Sequence, residues 1–241
     1  MSAMANNSCL LFPNLRREES RRPSRRRTER DWIAALRRAR IPLHHDDRLI
    51  VVHGHPLLIR LGLYSVVERV LSGEPVIYLD ATSTFDPFFV GRLARAQRQH
   101  PRKVLPMIHV ARAYSVRQTD RLVSDCLSGA LHRYGARLAV VSGLFETIYD
   151  RITPDQEAAW LFTRMTEALI RLKAQGGAVL LCLCPSPATL APSNNPYWER
   201  LRSQADRVYV VKEEQGMVGI GEEGADKAAT CQVERGILQH G

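Results

Sequence analysis

Short runs of continuously apolar residues recur along this chain, and most are followed by a stretch with helical spacing. Leu49-Ile50-Val51-Val52, Val76-Ile77-Tyr78-Leu79, Ile108-His109-Val110, Leu138-Ala139-Val140-Val141, Ala178 to Cys184 and Val208 to Lys212 read as strands. They lack the in–out alternation of a half-exposed strand, so both faces of their sheet must be covered. Helices are expected between them, over residues 58–72, 87–99, 116–134 and 154–174. The last starts at Pro154 and stops at Gly176-Gly177. This alternation predicts an α/β fold, a mainly parallel sheet flanked by helices and joined by right-handed crossovers. Ligands on such a sheet bind beyond the carboxyl ends of the strands.

The 241 residues suffice for one such core. Residues 41–220 are assigned to it and residues 221–241 to a polar tail. Residues 1–30 read as a disordered basic arm, because they hold too few apolar residues to pack. Asp31 caps a short helix over 31–40 with Trp32, Ile33, Ala35 and Leu36 on one face. Residues 1–40 contain eleven of the 34 Lys and Arg but four of the 25 Asp and Glu, hence +7, which leaves +2 for the rest. A basic arm on a nearly neutral body suits phosphates. Its candidate DNA contacts are Arg16, Arg17, Arg21, Arg22, Arg25, Arg26, Arg27 and Arg30.

Five cysteines without metal-ligand spacing argue against a disulfide scaffold. No run approaches a membrane span, and the start lacks the order of a secretory signal. A soluble protein of a reducing compartment is expected, cytoplasmic with the nucleoid or nuclear, with no membrane partner.

The strand ends carry the functional reading. A phosphate-binding loop needs two glycines, a Lys and a Ser or Thr at fixed spacing. With Gly54 as the first glycine, Ile59 takes the second, Arg60 the Lys and Leu61 the Ser/Thr. The second strand ends Asp80-Ala81-Thr82-Ser83-Thr84-Phe85, the third runs into Val110-Ala111-Arg112-Ala113-Tyr114-Ser115, and the fourth into Ser142-Gly143-Leu144-Phe145. Cys184-Pro185-Ser186 ends the fifth, and Ala205 to Lys212 forms the sixth after an intervening loop.

In this order the stretches resemble the RecA/RadA recombinases and their paralogs, over roughly residues 46–220. The second strand is similar to that family's Asp-Thr-Glu-Gly-Thr-Phe, with Asp80, Thr84 and Phe85 matching. The third resembles Val-Ala-Arg-Ala-Tyr-Asn. The departures fall on the family's catalytic positions. Thr82 stands for the Glu that orients the attacking water, Ser142 for the Asp of the Mg²⁺ shell, and Ile59, Arg60 and Leu61 for the phosphate loop. The resemblance therefore implies a RecA-like fold with a vestigial nucleotide site (Gly54, Ile59, Arg60, Leu61, Thr82, Ser142), no catalytic residues, no metal and no cofactor. It implies a pseudo-ATPase acting as a DNA-binding or partner-binding accessory factor in DNA repair and homologous recombination. DNA, single-stranded or branched, and a catalytic recombinase, a paralog or a second copy are the expected partners. The alternatives are a divergent working ATPase using Arg60 and a purely structural subunit.

Tyr197-Trp198, beside Arg200 and Arg202, falls in a segment that corresponds to a DNA-contacting loop of recombinase filaments. The aromatic pair either stacks on bases or clamps the loop to the body. Leu11 and Phe12 form an apolar island in the arm and, by resemblance in position, are candidate anchors on a partner. Cys182 and Cys184, two apart on a strand, read as core packing rather than a redox or metal pair. His44-His45-Asp46-Asp47 reads as a polar loop.

Overall fold

A computed structural model of the chain describes residues 25–44, 46–148, 153–185, 196–224 and 231–234, with the backbone alone for 25–30 and 231–234. Eight strands form one sheet: β1 (Leu49–Gly54), β2 (Val76–Asp80), β3 (Ile108–Arg112), β4 (Leu138–Ser142), β5 (Val179–Cys184), β6 (Arg207–Glu214), β7 (Met217–Glu222) and β8 (Cys231–Glu234). Their order is β3-β2-β4-β5-β1-β6-β7-β8. Strands β1 to β6 run parallel, while β7 and β8 are antiparallel additions at one edge.

The continuous apolarity of β1, β2, β4 and β5 is used as the sequence implies, whereas the edge strand β3 and the far half of β6 are partly exposed. Ile50 and Val52 of β1 point into one core, with α1 (Arg25–Arg38), α2 (Leu58–Leu71), α3 (Pro87–Ala96) and α4 (Pro101–Val104). Leu49 and Val51 point into the other, against α5 (Val116–Asp120), α6 (Leu127–Tyr134), α7 (Asp155–Gln175) and α8 (Pro196–Gln204). The fold is α/β, a mostly parallel sheet flanked by helices on both faces. Among the described residues no helix is long and apolar enough to cross a membrane.

Several boundaries differ from the expectation. The helix placed over 31–40 begins at Arg25, inside the stretch assigned to the disordered arm. Trp32, Ala35 and Leu36 are buried, and the Trp32 ring meets Phe89 of α3 edge-on at 5.6 Å. That docking anchors the helix, and arginine, a good helix former, carries it toward the N-terminus. The tail assigned from 221 instead contains the end of β7 and all of β8. Gln215 (φ +52°) and Gly216 (φ +78°) make the tight turn from β6 to β7. Gly219 and Gly221 dilute the apolar signal of β7.

The helix expected over 87–99 ends at Ala96, and the chain reverses at Arg98 in the left-handed region (φ +59°). The helix expected over 116–134 is interrupted by a π-helical turn at Arg121–Cys126. Arg164 of α7 bridges Asp120 and Asp125 across that turn. The loop expected to carry Tyr197 and Trp198 gives way to α8 from Pro196 onward, with Pro196 at its start.

Candidate functional site

The carboxyl ends of β1, β2, β4 and β5 meet on one side of the sheet. Gly54 closes β1 with φ +113°. A Cβ there would lie 2.2 Å from the Val211 carbonyl oxygen of β6, so only glycine fits. The same oxygen accepts the His55 amide at 2.8 Å.

The following amides are likewise used within the loop. Leu57 N–H donates to His55 Nδ1 at 3.2 Å, Leu58 N–H to His55 O at 3.0 Å and Ile59 N–H to Pro56 O at 3.2 Å. His55 Nε2 in turn lies 2.9 Å from a Glu213 carboxylate oxygen. A phosphate cradle needs such amides pointing at the ligand. Here they stitch the loop to itself. Ile59 and Leu61 are buried in the first turn of α2, and Leu61 presents no oxygen to a metal.

At the ends of β2 and β4 lies a group of hydroxyls. Asp80 is fully buried and accepts the amides of Thr84 and Phe85, each at 3.0 Å, so it fixes the turn after β2. Arg112 approaches the same carboxylate at 3.5 Å and donates to Phe85 O at 3.3 Å. Thr82 Oγ1 lies 2.8 Å from Thr84 Oγ1 and 3.3 Å from Ser142 Oγ. Thr82 and Ser142, 60 residues apart, are thus brought together. They satisfy each other, and neither brings a carboxylate. The residues present do not fit a nucleoside triphosphate with Mg²⁺: the loop amides are engaged and the two expected metal-side groups are Leu61 and Ser142.

Above these strand ends opens a cavity of about 450 Å³, lined by apolar side chains that include Leu57, Ile59, Leu63 and Phe89, with Arg60, Thr84 and Asp86 among the polar ones. The Arg60 guanidinium sits 5.1 Å from the centre of the Phe89 ring, and Arg92 sits 5.6 Å from it. Burial and the neighbouring Arg92 charge lower the Arg60 pKa, while Asp86 pulls it back up.

The other expected contacts fare differently. Trp198 is buried, its ring 4.5 Å from His53 and 5.9 Å from Phe145. Tyr197 is half-buried and 4.9 Å from Phe162. This packing of the Trp198 ring favours the clamp alternative. Arg200 reaches Thr163 and Glu167, and Arg202 reaches Glu199 and Glu223. Their charges are met by carboxylates at the surface. Cys182 and Cys184 are buried in the core, and burial pushes the Cys182 thiol up to about 12. Arg25, Arg26, Arg27 and Arg30 belong to α1, whereas Leu11, Phe12, Arg16, Arg17, Arg21 and Arg22 lie outside the described residues.

Glu146, which sequence reasoning passed over, follows β4 beneath this cluster. Both carboxylate oxygens are buried and have no hydrogen-bond partner among the described residues. Burial pushes its pKa up to about 7; the nearby amides of Glu146 and Phe145 pull the other way without forming well-made bonds. Its only sequence signal is a carboxylate in an apolar run. A carboxyl with a raised folded-state pKa favours the folded state below its unfolded value, and that contribution is lost as pH rises toward 7. The loss is on the order of 3 kcal/mol over this window. Glu146→Gln should raise Tm at pH 7.5 and flatten the fall in Tm between pH 5 and pH 7.5. Parallel pH profiles for the two proteins would contradict this. His53 works in the opposite sense, since burial lowers its pKa.

No protein-family model matches the chain, and no curated protein matches it in sequence. Among the described residues no group of three or more His, Cys, Asp or Glu is placed to hold a metal ion.

Proposed function

We propose that this protein is a recombinase-like pseudo-ATPase, an accessory factor that binds DNA or a catalytic partner in DNA repair and recombination. The observation that carries the reading is the loop after β1, whose amides are consumed internally while the sheet around it is intact. A scaffold kept with its chemistry replaced suits a binding role. The stretches that resemble the recombinases lie at or just beyond the carboxyl ends of parallel strands, where ligands meet such a sheet. The hydroxyls of Thr82 and Ser142, where the resemblance implies carboxylates, support loss of turnover rather than altered turnover. Arg60 lies over Phe89, which gives the working-ATPase alternative little support.

The test is fluorescence anisotropy with labelled single-stranded and branched DNA over a range of salt. Binding should weaken steeply with salt, because neutralised phosphates release counterions. Absence of binding to either DNA at low salt would overturn the DNA-binding half of the reading. Residues 1–24 contribute four arginines and two glutamates, so their removal alone should leave most of the salt dependence in place. A flat salt response after that truncation would return the main contact to the arm.

A further inference from the structure

The two helical faces of the sheet differ in how their charges are met. On the face of α5 to α8 most cations of α7 and α8 have carboxylate partners, while Arg121, Arg133 and Arg171 are exposed with no ion pair among the described residues. Arg117 pairs with Glu157, Arg164 with Asp120 and Asp125, Lys173 with Asp206, and Arg200 and Arg202 with the acids named above. Helix α7 carries three acids and three bases.

The opposite face is built otherwise. Residues 25–40 carry seven arginines against Glu29 and Asp31. Residues 86–107 carry Arg92, Arg95, Arg98, Arg102 and Lys103 against Asp86 alone. Asp86 is occupied as the cap of α3, accepting the amides of Phe88 and Phe89. Arg37, Arg38, Arg95, Arg98, Arg102 and Lys103 are all exposed. Among the described residues none of these six has a carboxylate within ion-pair distance.

The basic elements adjoin one another. Trp32 joins α1 to α3. At Gly91 of α3 an added Cβ would lie 3.8 Å from both Pro101 of α4 and the Arg95 guanidinium. Arg98 adds an independent sign. It occupies a left-handed position at the end of α3, where glycine is the usual residue and a side chain carries a conformational cost. Keeping an arginine there favours a use for its charge.

We propose that the face formed by α1, α3 and α4 docks the phosphate backbone of nucleic acid. The proposal rests on the DNA-binding reading above and places its main contact on this face rather than in residues 1–24 or on α8. Arginine offers paired donors that match phosphate oxygens. A backbone with a charge every few ångströms suits cations spread over three adjoining elements. A docked protein would need an apolar centre. Among the described residues of these three helices, the only exposed large apolar side chain is Phe88.

The experiment titrates the full chain into a fluorescein-labelled DNA duplex at several salt concentrations. It compares the native protein with a variant carrying Arg95→Glu, Arg98→Glu, Arg102→Glu and Lys103→Glu, and with Arg98→Gly alone. The fourfold reversal should weaken binding at least about tenfold and reduce the log–log salt slope by about 3 to 4, near 0.9 per lost contact. Arg98→Gly should bind more weakly while melting at an equal or higher temperature, so a folding defect cannot produce its effect. If native and fourfold-reversed proteins bind with the same slope, the face is not the contact, although the DNA-binding reading stands. If the native protein binds no DNA, both fall together. Binding to polyglutamate but not to DNA would overturn nucleic acid as the occupant.

Discussion

Purified protein given millimolar ATP and Mg²⁺ is expected to release no phosphate above background, with or without DNA, and to show no ATP-dependent rise in Tm. Phosphoryl transfer is catalysed by positioning and charge stabilisation, so the parts must be present and correctly aimed. The amides of Leu57, Leu58 and Ile59 are bonded within the loop, and freeing them would unmake the turn into α2. Leu61 is buried in the core and Ser142 shares its hydroxyl with Thr82, so neither side offers the expected Mg²⁺ shell. Thr82 has no carboxylate with which to orient water. A neighbouring copy could add a residue across an interface but would leave this loop unchanged. A ligand at about 100 times its Kd stabilises the folded state by about 2.7 kcal/mol, an effect a melting curve reads easily. Phosphate release that disappears in Arg60→Ala would overturn the pseudo-ATPase reading and favour the divergent ATPase.

The sheet was legible because its signal is strong and local. Strands β1, β2, β4 and β5 are buried throughout and fill two cores, while β3 and β6 are partly exposed and carry a weaker version of the same signal. Thr82 and Ser142 were legible as a pair because strand ends converge wherever parallel strands share a sheet. What escaped depends on packing between distant segments. The burial of Trp198 is decided by its tilted ring contacts with His53 and Phe145, which the sequence Pro-Tyr-Trp does not foretell. Arg200 and Arg202 look basic in sequence, yet Glu167 and Glu223 come from elsewhere to meet them. The reverse holds for Arg95, Arg98, Arg102 and Lys103, whose solvent-facing positions leave them uncompensated. Their run lies within an ordinary helix–loop stretch, and charge counted by segment directs attention to the arm instead. The early start of α1 escaped for a related reason: Trp32 docks on Phe89, and no local pattern announces that contact.

Replacing Gly54 by alanine is expected to cost more stability than any other single methyl addition proposed here, about 4 kcal/mol or more. Gly54 is the one glycine that fits the phosphate-loop template, and the structure gives it another reason to be there. Its φ of +113° is a conformation that side chains rarely adopt. Its α-carbon also faces backbone rather than a yielding side chain, since the added Cβ would meet Val211 O at 2.2 Å. That oxygen is held by the His55 amide, so relief would require parting β1 from β6 near the centre of the sheet. Gly73→Ala supplies the control. Gly73 also has a positive φ, +87°, but nothing lies within 4 Å of an added Cβ, so strain alone, about 1–2 kcal/mol, is expected. At roughly 2–4 °C per kcal/mol for a chain of this size, Gly54→Ala should lower Tm by about 8–16 °C and Gly73→Ala by a few degrees. Were Gly54 retained for a phosphate ligand instead, its alanine variant would melt like the Gly73 control and differ only in nucleotide binding. Equal melting temperatures for the two variants would therefore restore a phosphate role to the loop.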